Sequence, residues 1–114
     1  MANDRDSLLV IIGYCDRIAD AVSQYGDDLE GFVSNVHYSQ SCAFSLLQIG
    51  EAVKRLSPEL VCSNPNVQWN QIARFRDLIA HQYGHLDMSM VWESVIKEVP
   101  ELRSECDRIL RSLS

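Results

Sequence analysis

Ten consecutive residues, Arg74-Phe75-Arg76-Asp77-Leu78-Ile79-Ala80-His81-Gln82-Tyr83, gather two guanidiniums, a carboxylate, an imidazole and a phenol. A cation to hold phosphate and an imidazole to move a proton are the minimum equipment for cutting RNA without a metal. The substrate brings its own nucleophile, the ribose 2′-hydroxyl. The protein has only to orient it, stabilise charge on phosphorus and shuttle protons. Arginine suits the second task because its planar fork stays charged and matches phosphate oxygens. Histidine suits the third because it titrates near neutrality.

Spacing constrains how these groups can meet. At about 100° per residue on a helix, Asp77 and His81 share a face, and Asp77 could orient the imidazole. Arg76 and His81, five apart, diverge by about 140° on a straight helix. Within one chain they point together only if the helix end unwinds near Gly84. Two such helices around a two-fold axis could instead supply an Arg and a His from each chain to one groove. On spacing alone, the same residues also fit a solvated helix face with an i,i+4 ion pair.

The elements that must position this stretch all read as helices. Asn3 is an N-cap, with Asp4 and Asp6 in the first turn, and Leu8, Ile11, Ile12, Cys15, Ile18, Ala19 and Val22 follow at helical spacing up to Gly26. A second segment runs from about Leu29 to Leu56, with Phe32, Val36, Ser39, Ala43, Leu46 or Leu47, Gly50 and Val53 as its stripe. Its small residues allow a neighbouring helix to come close, so it reads as central. Pro58 ends it, and residues 58–66 read as a loop with room for one helical turn. The third segment, about Val67 to Tyr83, carries Trp69, Ile72, Phe75, Leu78 and Ile79, with Gly84 as its C′ residue. The fourth is capped by Asp87 and carries Met90, Val91, Ser94, Val95 and Val99; Pro100 should kink or split it before Glu101–Leu113 continues. No stretch alternates with period two. The expectation is an all-α, up-and-down four-helix bundle, in a single domain over residues 1–114.

Composition narrows the function classes. Hydrophobic residues make up 46% of the 114, as in ordinary globular chains, and no apolar run approaches the ~20 residues a membrane span needs. Leu8-Leu9-Val10-Ile11-Ile12 follows an acidic flank and lacks a cleavage site, which argues against a signal peptide and for a cytoplasmic protein. Cys15, Cys42, Cys62 and Cys106 form no C-x-x-C pair and read as reduced thiols. The formal charge of −6 disfavours broad nucleic-acid binding, although a few arginines in one groove would suffice for RNA. The acidic surplus also suits a basic partner surface.

Arg76-Asp77-x-x-x-His81-x-Tyr83 resembles the R-x4-6-H motif of HEPN domains, and more narrowly the R-x4-H-x-Y form of HepT-type toxins, partners of minimal nucleotidyltransferases. Gln48-Ile49-Gly50-Glu51-Ala52 resembles the family's "iGEA" signature. Trp69-x-x-Ile72-x-x-x-Arg76, Asp87-x-x-x-Val91-Trp92 and Pro100-x-Leu102 extend the likeness over nearly the whole chain. One departure is visible: most relatives carry Asn where Asp77 stands, so a negative charge lies beside the phosphate site. The resemblance implies a HEPN-like bundle that dimerises around the motif helices and cleaves RNA, tRNA among the family's substrates, with neither metal nor cofactor. Arg76 would hold the scissile phosphate, and His81 would act as general base or acid, leaving a 2′,3′-cyclic phosphate. It further implies a nucleotidyltransferase antitoxin that attaches AMP to Tyr83, filling the groove with negative charge. The competing readings are a non-catalytic HEPN subunit that binds nucleotide or a transferase, and a helical scaffold whose dimer interface is its whole function.

His85 with His81 would make a metal pair only if Gly84 left the helix intact, so no metal site is expected. His37-Tyr38 could face the groove, but half-buried packing fits better. Glu51 could align Arg74 or Arg76 across helices, or face solvent beside Arg55. Trp69 and Trp92 read as core or interface anchors, and Lys54 and Arg55 as a basic rim or a solvated helix end.

Overall fold

A computed structural model describes residues 3–113, and local capping chemistry sets most of its helix boundaries. Helix α1 spans Asp4–Tyr25, opened by Asn3, whose side chain accepts from the Asp6 N–H at 3.3 Å. Gly26 closes it at φ 100°, a left-handed conformation that glycine adopts without strain. Helix α2 (Leu29–Ser34) starts at Asp28 and α3 (Val36–Lys54) at Asn35, each side chain accepting from a backbone N–H three residues on. Helix α4 (Pro58–Ser63) is capped by Ser57, and α5 covers Trp69–Gln82. Helix α6 (Met88–Glu93) begins at Asp87 and continues through a π turn (Ser94–Glu98) into α7 (Val99–Ser112).

The helices pack as a bundle with α3 in a central place. Helix α1 lies between α3 and α7, and α5 covers another side of α3. Leu8, Ile11, Cys15 and Ile18 of α1 meet Cys42, Ile49 and Ala52 of α3 and Val99, Leu102 and Cys106 of the last arm in one core. The π turn answers Pro100. Proline has no N–H to give the carbonyl four residues back and its ring crowds that oxygen, so the backbone widens, and the Val99 N–H reaches the Ser94 carbonyl. The expected disruption at Pro100 is therefore a widened turn that ends two residues ahead of it, at Glu98.

Several expectations need correction. The second segment is not continuous: Asn35 adopts an extended φ/ψ of −103°/101°, ending α2 and capping α3, and Val36 is exposed instead of lining the stripe. The helical turn allowed within residues 58–66 is present and extends over Pro58–Ser63, because Ser57 supplies a cap and Pro58 sits where no N–H is needed. Ser57 is in turn held by Asp4, which accepts from its N–H at 2.8 Å and its hydroxyl at 2.6 Å. Ala19 is exposed and Ala21 takes its place in the core. Gly84 is not a left-handed C′ residue: it lies in a 3-10 turn, Tyr83–His85, that prolongs the end of α5.

Candidate active site at the crossing of α3 and α5

The site begins with a glycine. A Cβ on Gly50 would lie 2.2 Å from the Arg76 Cβ and 2.6 Å from its Cγ. Real atoms do not approach so closely, so only glycine at position 50 lets the stem of Arg76 cross α3 at this depth. The backbone contact places the Arg76 guanidinium beside the next residues of α3, Glu51 and Lys54.

There it joins a four-membered charge cluster. The Arg76 Nε lies 2.9 Å from Glu51 Oε2. This nitrogen is buried and its N–H is not aligned on that oxygen, so the contact is an ion pair without a hydrogen bond. Arg76 Nη1 donates to Asp77 Oδ1 at 3.1 Å, and Lys54 Nζ donates to the same oxygen at 2.5 Å. Lys54 also lies 3.8 Å from Glu51. These hydrogen bonds, from Lys54 first and Arg76 second, hold the Asp77 carboxyl below its ordinary value of 3.8 and keep it ionised. Two cations and two carboxylates leave the cluster neutral. Arg76 is the least exposed of the four, at 25% against 38–49% for the others.

The fold thus brings Arg76, Asp77 and Glu51 together and resolves the two roles open for Glu51 in favour of Arg76. It does not bring His81 to them. Arg76 faces α3, whereas His81 is exposed and makes no hydrogen bond among the described residues. Asp77 spends Oδ1 on Lys54 and Arg76, not on orienting the imidazole. Arg74 is exposed and joins no ion pair among the described residues. Tyr83 is half-buried, packed against the core where the 3-10 turn begins. Lys54 is the member that the sequence left open between a basic rim and a solvated helix end. Its Glu51 spacing (i,i+3) was visible, but its partner Asp77 lies 23 residues away.

The two tryptophans and Tyr38 serve packing. Trp69 is buried with its indole N–H on the Asn64 carbonyl at 3.1 Å. Tyr38 is fully buried, its hydroxyl on the Gly26 carbonyl at 2.9 Å and its ring against Phe32 and Trp92, while His37 is exposed. Beside Arg76, an open groove of about 600 Å³ separates α5 from the α6–α7 arm, with Leu46, Ile72, Phe75, Met90 and Leu102 among its apolar walls. No described helix is long and apolar enough to cross a membrane.

A helical bundle carrying an arginine and a histidine five residues on fits the HEPN class of nuclease. The Ribonuclease HepT-like family model matches residues 11–109, and the chain belongs to that family, which marks it as a ribonuclease. A protein of Caldanaerobacter subterraneus subsp. tengcongensis that carries an RNase assignment in its name is 33% identical over 111 residues, 97% of each chain. A Methanocaldococcus jannaschii protein with an RNase assignment is 31% identical over 90% of this chain and 87% of its own. A Thermococcus cleftensis chain named for ribonuclease HepT is 30% identical over 54% of this chain and 56% of its own. No solved structure matches.

Proposed function

We propose that the chain is a metal-independent endoribonuclease toxin whose site is shared between two copies. Arg76 of one copy and His81 of the other act on one phosphodiester, and a nucleotidyltransferase antitoxin silences the pair by attaching AMP to Tyr83. The observation that carries this reading is the divergence of the two side chains. Arg76 is anchored inward on α3 and His81 projects to solvent from the same helix, so a second copy supplies what one lacks. The groove beside Arg76 gives that copy an apolar surface to cover. Arg76 then neutralises the phosphate, and His81 removes the 2′-hydroxyl proton or protonates the leaving 5′-oxygen, giving a 2′,3′-cyclic end. AMP on Tyr83 would place phosphate charge next to the end of the motif helix and exclude RNA.

The test uses mixed dimers. Arg76→Ala and His81→Ala homodimers should each be inert toward tRNA and harmless when expressed. Co-refolded together they should regain part of the wild-type cleavage, insensitive to EDTA, because one groove still holds an Arg and a His. A monomeric wild-type protein, or no cleavage by wild type, ends the shared-site reading. Tight binding of a transferase without any RNA turnover would make the chain a non-catalytic subunit. Co-expression with the antitoxin should add AMP-sized mass at Tyr83.

A further inference from the structure

Arg76 and Lys54 are not simply two nearby cations, because one carboxylate oxygen bridges them. Asp77 Oδ1 accepts from Arg76 Nη1 at 3.1 Å and from Lys54 Nζ at 2.5 Å. Glu51 takes the Nε side of the same guanidinium at 2.9 Å and fixes its orientation. What remains for a substrate is the edge now facing Asp77. A phosphodiester is a monoanion with two non-bridging oxygens, as a carboxylate is a monoanion with two oxygens. The Asp77 side chain is half-exposed, at 49%, so a carboxylate displaced from the two cations can be rehydrated.

We propose that Lys54 and Arg76 form a two-cation phosphate clamp, and that Asp77 occupies the phosphate position until a nucleic-acid strand displaces it. The inference rests on the reading that Arg76 meets a phosphodiester, and it adds Lys54 as a second binding residue and Asp77 as an internal competitor. In the resting protein the cluster is neutral, so incoming phosphate exchanges one anion for another and gains little. With Asp77 uncharged, the clamp carries a net positive charge and the strand gains the whole attraction. A unit charge removed from a few ångströms away, in a largely aqueous setting, should tighten binding roughly five- to tenfold.

The experiment is fluorescence anisotropy with a short labelled single-stranded DNA. It lacks the 2′-hydroxyl and cannot be cut by that route, so binding is read whether or not the protein proves to be an RNase. Asp77→Asn should bind roughly five- to tenfold more tightly than wild type, with a salt dependence steeper by about one counterion. Adding Lys54→Ala to Asp77→Asn should remove that gain and the extra counterion. Glu30→Gln, exposed on α2 near the start of α3, is the charge-matched control. It sits about 25 Å away along a 19-residue helix and should leave affinity near wild type. The clamp is wrong if Asp77→Asn gains nothing, if Glu30→Gln gains as much, or if Lys54→Ala leaves the gain intact. Where RNA is cleaved, the Asp77→Asn effect should appear in KM and leave kcat nearly unchanged. Loss of cleavage with the binding gain preserved would count against the RNase reading alone.

Discussion

Replacing Gly50 with alanine tests the geometric foundation of the site. The added methyl would lie 2.2 Å from the Arg76 Cβ, where an ordinary contact is 3.4–4 Å. The Cβ of Arg76 is fixed to its backbone, so no rotamer change relieves the contact, and α3 and α5 must separate by about an ångström. Overpacking of this kind costs about 1–3 kcal/mol. Alanine returns up to ~1 kcal/mol through its better helix propensity. The net is a loss of about 1–2 kcal/mol, or a fall in Tm of roughly 5–10 °C for a domain near this size. Gly13 of α1 is the internal control: it is mid-helix and exposed, with nothing within 4 Å of an added Cβ. Gly13→Ala should therefore raise Tm by a few degrees, from about 0.5–1 kcal/mol. Thermal unfolding by circular dichroism reads both. RNA cleavage measured well below the Gly50→Ala melting temperature should fall by as much as about a hundredfold, because Arg76 is displaced by that ångström. Gly50→Ala melting at or above wild type with undiminished cleavage would refute the close crossing.

Two further outcomes follow from the charges and thiols. Burial pushes the Cys15 and Cys106 thiols up to about 12 and Cys42 up to about 11, so at about pH 8 a thiolate-selective reagent should label the exposed Cys62 quickly and the other three only after unfolding; rapid labelling of more than one thiol in the folded protein would contradict this burial. Because the folded Asp77 carboxyl titrates below its ordinary 3.8, its ionised form stabilises the fold above that value, and the contribution fades as pH falls below it. The urea midpoints of wild type and Asp77→Asn should differ near neutrality and converge in acid, and a gap independent of pH would show that the ion pairs contribute nothing.

What was legible in the sequence was what depends on near neighbours. Asn3, Gly26, Asp87 and Pro100 act within a turn, and each marks a boundary close to where the backbone changes. The angular divergence of Arg76 and His81 follows from helix periodicity alone. The break at Asn35 was hidden because apolar spacing continues across it, although a Ser-Asn pair ahead of a helical run is itself a capping signal. Gly50 could be read as a close-approach residue, but not as the seat of Arg76, since that depends on how α5 lies across α3. The same crossing selects Arg76 over Arg55 as the partner of Glu51 and gives Lys54 to Asp77. Pairings of this kind are tertiary, and no local pattern encodes them.

The crossing also reconciles an acidic chain with a polyanionic substrate. Ten lysines and arginines face sixteen acidic residues. Along the last arm and its neighbours the cations are committed: Lys97 to Glu93, Arg103 to Asp16, Arg108 to Glu105 and Arg111 to Asp107. On α1, Arg5 sits between Asp4 and Asp6, and Arg17 lies over the Tyr14 ring at 4.9 Å. The other four, Lys54, Arg55, Arg74 and Arg76, all belong to the end of α3 and to α5. A polyanion is therefore repelled over much of the described surface; on this edge Arg55 and Arg74 join no ion pair among the described residues and flank the neutral cluster, where Asp77 is the carboxylate it must move. Selectivity would then come from exclusion as much as from attraction, with a salt dependence set by a few cations instead of the whole surface.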